Sequence, residues 1–113
     1  LPISYRMDYA VIKGGQISGF VEVKSRNMTW GQYPNVILSM SKVEKACAYF
    51  DLLKLPSLLL VATTDGLIHY THMHDVPSNS KLEFSGRTVN TRDSADIEPC
   101  YHIPNERFSK LDG

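Results

Sequence analysis

A chain of 113 residues is long enough for one small domain with a single hydrophobic core. Its 42% hydrophobic and 21% charged content is ordinary for globular proteins. No apolar run approaches the roughly 20 residues that a membrane helix needs. The formal net charge of zero argues against a protein that holds nucleic acid by overall charge alone.

Charge and cysteine are unevenly placed along the chain. Residues 1–54 carry seven Lys/Arg and four Asp/Glu, whereas residues 55–113 carry five and eight. This asymmetry fits a basic surface in the first half, and chance explains it equally well.

Cys47 and Cys100 lie far apart, and Cys47 falls on an apolar helical stripe, where free thiols are common. We therefore expect free cysteines and a reducing, cytoplasmic setting in a bacterium or a phage-infected cell.

The first predicted elements form a β-hairpin. Residues 5–13 alternate between polar and apolar side chains and are rich in strand formers, and residues 17–24 do the same. Gly14-Gly15 between them is a strong turn signal. Residues 25–33 are polar and rich in turn formers, which predicts a loop.

A helix is predicted after this loop. Pro34 suits the first turn of a helix. Apolar residues then recur in steps of four and three, at Val36, Met40, Val43, Cys47 and Phe50. The pattern ends near Lys54, and Leu55-Pro56 cannot continue it.

Strands follow the helix. The apolar run 57–63 predicts a strand buried on both faces, and a turn at Asp65-Gly66 leads to a strand at 67–73. Shorter strands are expected near 81–84 and 99–103. Taken in order, the elements predict a single α/β domain over residues 1–113, with a mixed β-sheet and one main helix.

The predicted hairpin carries a group of charged side chains. Residues two apart in a strand share a face, so Glu22 and Lys24 point the same way. Whether Asp8 on the partner strand joins them depends on register. A two-residue turn at Gly14-Gly15 would place Asp8 and Glu22 on opposite faces. A three-residue loop, or a β-bulge, would place them opposite each other.

The second register pairs Ala10 with Phe20 and sets two carboxylates about 5 Å apart across the sheet. Like charges at that distance destabilise a sheet unless a cation lies between them. A hard divalent ion with oxygen ligands, Mg²⁺ or Mn²⁺, suits such a pair best. Lys24 adds an amine on the same face.

Asp8, followed fourteen residues later by Glu22-Val23-Lys24 on a hairpin, resembles the signature of the PD-(D/E)XK nuclease superfamily. Met7 stands where the motif has Pro. The helix and the apolar strand that follow the motif also resemble the restriction-endonuclease-like core of that superfamily, and the resemblance covers roughly residues 5–73. The run from Val21 to Ala46 is more loosely similar to nuclease-like proteins of bacteriophages and to the Holliday-junction-resolvase branch.

The resemblance implies an activity and roles for the matching residues. The activity would be hydrolysis of DNA phosphodiester bonds by an Mg²⁺- or Mn²⁺-dependent endonuclease or exonuclease. Asp8, Glu22 and the Val23 carbonyl would bind the metal, and Lys24 would orient or help deprotonate the attacking water. Lys42, on the following helix, would contact a phosphate. Relatives often work as dimers, so a homodimer is also an expectation.

Plainer structural alternatives exist for each of these residues. Asp8, Glu22 and Lys24 could form a solvated charged face with a cross-strand Lys–carboxylate pair. Arg26 could contact the DNA backbone or simply belong to a polar loop, and Lys42 could lie on a solvated helix face. A second hypothesis is a non-catalytic nucleic-acid-binding or assembly module on the same fold. Two features favour it. The net charge is zero, and this sequence lacks the helix with an acidic residue that often precedes the first strand in relatives.

Overall fold

The computed structural model describes residues 9–86 and 97–112, which form two β-sheets, two α-helices and two 3-10 turns. The strands in chain order are β1 (Tyr9–Lys13), β2 (Gln16–Ser25), β3 (Asn35–Ser39), β4 (Ser57–Ala62), β5 (Ile68–His72), β6 (Lys81–Gly86), β7 (Ile97–Pro104) and β8 (Ser109–Lys110). The helices are α1 (Met40–Leu53) and the single-turn α2 (Val76–Asn79). The 3-10 turns are Met73–Asp75 and Asn105–Arg107. In the described part of the chain, no helix combines the length and apolarity that crossing a membrane requires.

The larger sheet has five strands in the order β1-β2-β4-β5-β8, and the smaller has three in the order β3-β7-β6. β2 and β4 are parallel, and the other pairs are antiparallel. The parallel pair is connected through β3 and α1, because parallel neighbours need a long crossover. The predicted mixed sheet and main helix are confirmed, while the division into two sheets was not foreseen.

The helix begins later than the sequence pattern predicted. The Pro34–Ser39 segment was assigned to the start of the helix, but Asn35–Ser39 is strand β3. Its burial alternates, with Val36 and Leu38 buried and Ile37 exposed, and this period of two belongs to a strand. Val36 is spaced from Met40 like a helical neighbour, which explains the error. α1 ends as predicted, with Lys54 in the left-handed conformation just ahead of Pro56.

The core lies between the larger sheet, α1 and the smaller sheet. Its fully or nearly fully buried members come from several elements and are Val36, Leu38, Val43, Ala46, Leu59, Val61, Met73, Val76, Ile103 and Phe108. Trp30 from the β2–β3 loop packs against them and meets Phe108 edge-on, with ring centroids 5.3 Å apart. The shared core fixes the face of β2 that turns toward α1, and that face carries the candidate site.

Candidate active site

Glu22 and Lys24 lie on the face of β2 that packs toward the helix. Phe20, on the same face two residues earlier, contacts Tyr49 of α1 with ring centroids 5.2 Å apart. In the parallel ladder Glu22 is paired with Leu59 of β4, which is fully buried. Glu22 itself is only 4% exposed. The predicted common orientation of Glu22 and Lys24 therefore places a carboxylate at the border of the core.

The buried carboxylate of Glu22 has a specific partner. Lys42, in the first turn of α1, donates a hydrogen bond from Nζ to Glu22 Oε2 at 2.8 Å. An ionised carboxylate in this position would be costly without such a cation or a metal. The Lys42 side chain is 42% exposed, so the pair joins the core border to the surface. The two expected roles of Lys42 are a phosphate contact and a place on a solvated helix face, and neither of them includes this ion pair with Glu22.

Lys24 is half-buried and lies near two other cations, Arg26 and Lys42. Burial lowers the pKa of Lys24 most, and the charges of Arg26 and Lys42 lower it further, while Glu22 acts in the opposite direction. A depressed lysine pKa is typical of amines that exchange protons with substrate or water. Glu22, Lys24, Arg26 and Lys42 therefore form one electrostatically coupled group, which we call the charged cluster.

Arg26 extends the cluster beyond the end of β2. Its backbone N–H donates to the carbonyl of Ala62 at 2.9 Å, which continues the hydrogen bonding between β2 and β4 by one step. Its side chain lines a cavity, together with residues of the β2–β3 loop, β3 and His102 of β7. No local pattern indicates His102 as a neighbour of this site, because β7 reaches this region through its long-range pairing with β3.

The hairpin reaches the expected register by the second of the two predicted routes. Gly14 and Gly15 both have positive φ and form a two-residue turn that pairs Lys13 with Gln16. A bulge between Val11 and Ile12 then shifts the register, so that Ala10 faces Phe20 and Tyr9 faces Val21. A three-residue loop is not formed. Asp8 lies outside the described residues.

A metal ion at this site would depend on the oxygen ligands around Glu22. The described residues contain no group of three or more His, Cys, Asp or Glu side chains that could hold a metal. Glu22 nevertheless offers a buried oxygen donor that already attracts a cation, the ammonium of Lys42. Val23 has an aliphatic side chain, which is half-buried on the opposite face, so its backbone carbonyl is the group that could bind a metal. Glu22 and this carbonyl offer oxygen, the ligand atom that a hard divalent ion prefers.

One of the two cysteines, Cys100, lies close enough to Lys24 for their charges to interact. Both Cys47 and Cys100 are free, as the sequence predicted. Cys100 of β7 is buried, and burial raises the pKa of its thiol while the nearby charge of Lys24 lowers it. β7 thus borders the charged cluster, a neighbour that the sequence analysis did not identify.

Comparison with known protein families gives a match over nearly the whole chain. A family model described as "Phage putative PDDEXK endonuclease" matches residues 1–111. No curated protein and no solved structure gives a significant match. The family match spans the hairpin with Glu22 and Lys24, the helix with Lys42 and the strands that follow. The chain therefore belongs to this phage family of the PD-(D/E)XK nuclease superfamily.

Proposed function

We propose that the protein is a divalent-metal-dependent nuclease that hydrolyses DNA phosphodiester bonds. The observation that carries the proposal is the charged cluster, in which a buried carboxylate and a half-buried amine share one face of β2 beside the ammonium of Lys42. Buried charge is expensive to maintain, and a fold that maintains it at the family's motif positions is expected to use it. Family membership supports the same reading.

Each residue has a role in this proposal. Glu22, Asp8 and the carbonyl of Val23 would hold Mg²⁺ or Mn²⁺, which when bound would activate water and neutralise phosphate charge. Lys24 would orient the attacking water and take up its proton. Arg26 would bind the phosphate backbone beside the scissile bond, where a guanidinium can pair with two phosphate oxygens. Lys42 would hold Glu22 in place and meet a phosphate through the exposed part of its side chain.

The test is cleavage of labelled duplex, branched and single-stranded DNA at millimolar Mg²⁺ or Mn²⁺ by the parent and by Lys24→Ala. We expect Lys24→Ala to lose at least about 10²-fold in rate, in the range of general acid–base contributions. Lys13→Ala serves as the matched control, because Lys13 is exposed at the end of the hairpin. A Lys24→Ala protein that folds normally and cuts as fast as the parent would refute the mechanism.

A second candidate is a non-catalytic nucleic-acid-binding module on the same fold. The ion pair favours it, since Lys42 already neutralises Glu22 without a metal. Calorimetric titration with Mg²⁺ and Mn²⁺ separates the two, with Glu22→Gln as the variant that removes the charge and keeps the shape. DNA binding without metal uptake and without cleavage would select the binding module.

A further inference from the structure

We infer that the cavity beside Arg26 is a binding site for a single unstacked nucleobase, so that the preferred substrate has unpaired bases next to the scissile phosphate. This inference rests on the proposed function. The cavity has a volume of about 440 Å³ and is lined by Arg26, Met28, Tyr33, Pro34, Asn35, Val36, Ile37 and His102. That volume lies toward the small end of the range for small-molecule sites.

The lining has the composition that base recognition requires. Tyr33, Met28, Pro34 and Ile37 supply an aromatic ring and apolar walls, against which a base can stack. Asn35 supplies an amide that can both donate and accept hydrogen bonds at a base edge. Among the residues that the structure describes, the lining includes the cation Arg26 and no carboxylate. An anionic ligand with a flat apolar part, such as a nucleotide, matches this combination.

Tyr33 is placed as a stacking platform. Its side chain is 56% exposed, although its backbone is held firmly. Asn105 donates from Nδ2 to the Tyr33 carbonyl at 2.6 Å, and the Asn105 backbone N–H donates to the Pro34 carbonyl at 3.0 Å. An exposed ring on an anchored backbone loses little conformational freedom when it binds, which favours stacking.

Arg26 links the cavity to the proposed catalytic residues of β2. Arg26 lines the cavity and follows Lys24 by two residues, so the chain separates their Cα atoms by at most about 7 Å. A phosphate bound between Lys24 and Arg26 would therefore leave the adjoining base within reach of Tyr33. A base in a duplex would first have to leave its stack and its partner, which has a free-energy cost.

The experiment measures binding in EDTA, in a Lys24→Ala background that prevents cleavage. The probes are a short labelled oligothymidylate and a labelled hairpin duplex, both followed by fluorescence anisotropy. Loss of one stacked base should raise the Kd of Tyr33→Ala for the single strand at least about fivefold. We expect the duplex Kd to change by less than about twofold. Tyr33→Phe, which retains the ring, should bind the single strand like the parent.

Tyr9→Ala is the matched control, since Tyr9 is 64% exposed but pairs with Val21 on the sheet face opposite Glu22. Ile37→Trp fills the cavity from β3 and should reproduce the loss of single-strand binding. Thermal melts establish that each variant folds. Three results would overturn the inference. The Lys24→Ala background protein could show no measurable affinity for the single strand, or Tyr33→Ala could bind the single strand as tightly as that background protein does. Tyr33→Ala could also weaken binding of the duplex as much as binding of the single strand. Failure of the parent to cut DNA would refute the nuclease proposal and leave this binding result intact.

Discussion

Glu22 and Lys42 form the contact on which the site depends most directly. The Glu22 side chain is 6% exposed and that of Lys42 is 42% exposed, so the ion pair is intermediate between a surface and a buried salt bridge. Surface pairs contribute about 0.2–1 kcal/mol, whereas removing one partner of a buried pair costs about 3–5 kcal/mol. Loss of Lys42 would leave Glu22 as an uncompensated buried charge.

Lys42→Met tests this contact. We expect the free energy of unfolding in EDTA to fall by about 1–3 kcal/mol, between those two limits. If the proposed metal binds at Glu22, millimolar Mg²⁺ should raise the melting temperature of the variant more than that of the parent, because the ion supplies the missing positive charge. Urea unfolding and thermal melts measure both effects. Equal stability of Lys42→Met and the exposed control Lys13→Met would contradict the argument.

His69 is a second residue whose charge state is set by its surroundings. Its ring stacks on Trp30 with centroids 3.7 Å apart and an angle of 8°. Burial lowers the pKa of His69 most; Asp65 raises this pKa, and Lys110 lowers it. The folded state therefore favours neutral His69, and the unfolded state binds a proton at higher pH than the folded state does.

The stabilising effect of neutral His69 should be complete above about pH 6.5, the unfolded-state pKa, and should be lost as the pH falls below it. Urea unfolding at pH 7.5 and 5.5, followed by the fluorescence of the single tryptophan, measures this dependence. Between pH 7.5 and 5.5 the parent should lose more stability than His69→Phe. The slopes of unfolding free energy against pH should differ by at most about 1.4 kcal/mol per pH unit. The substitution preserves the aromatic stack and removes the titrating group. Identical pH dependence of the two proteins would show that His69 does not contribute.

At the scale of elements, the start of the β2–β4 pairing depends on a close backbone approach. Gly19 precedes Phe20, whose backbone N–H donates to the Pro56 carbonyl at 2.9 Å. A Cβ atom on Gly19 would lie 2.9 Å from that same carbonyl oxygen. β2 and β4 could accommodate such a contact only by moving apart at this point.

Gly19→Ala should therefore destabilise the protein by about 1–3 kcal/mol, the usual cost of overpacking. Urea unfolding measures the loss, and Gln16→Ala, at an exposed position of the same strand, is the control. A stability equal to that of the control would mean that the strands separate at no cost. Because the proposed catalytic residues follow on β2, a partial loss of nuclease activity should accompany the loss of stability.

Most of the elements could be predicted from local pattern, and the departures have local causes. The alternation around Glu22 and Lys24 correctly placed both on one face, because strand period depends only on neighbouring residues. The register of β1 was left as two alternatives, since a bulge between Val11 and Ile12 has no reliable sequence signal. β3 was assigned to the helix because Val36 satisfies both periods.

The three-dimensional surroundings of the site could not be predicted in the same way. The Lys42–Glu22 contact joins residues twenty positions apart, and its formation depends on how α1 crosses β2. His102 and Cys100 reach the site region through the β3–β7 pairing, which joins strands about sixty residues apart. Such contacts follow from topology, about which the spacing of residue types along the chain contains little information.

At the scale of the molecule, the core connects the two sheets. Leu59 and Val61 of β4 belong to the same buried cluster as Leu38 of β3 and Ile103 of β7. α1 contributes Val43 and Ala46 to that cluster. Neither sheet could separate from the other without exposing these side chains, so the two sheets should unfold together, as a single domain over residues 1–113 would.

Leu59 and Leu60 are adjacent on β4 and provide a matched pair to test this. Leu59 is fully buried in the shared core, whereas Leu60 is half-buried on the opposite face. Leu59→Ala should lower the free energy of unfolding by about 2–5 kcal/mol, and Leu60→Ala by less, because less apolar surface becomes exposed. Far-ultraviolet circular dichroism and Trp30 fluorescence should report coincident urea transitions for the parent and both variants. Two separate transitions would show that the sheets are independent units. Equal losses of unfolding free energy in Leu59→Ala and Leu60→Ala would contradict the deeper burial of Leu59.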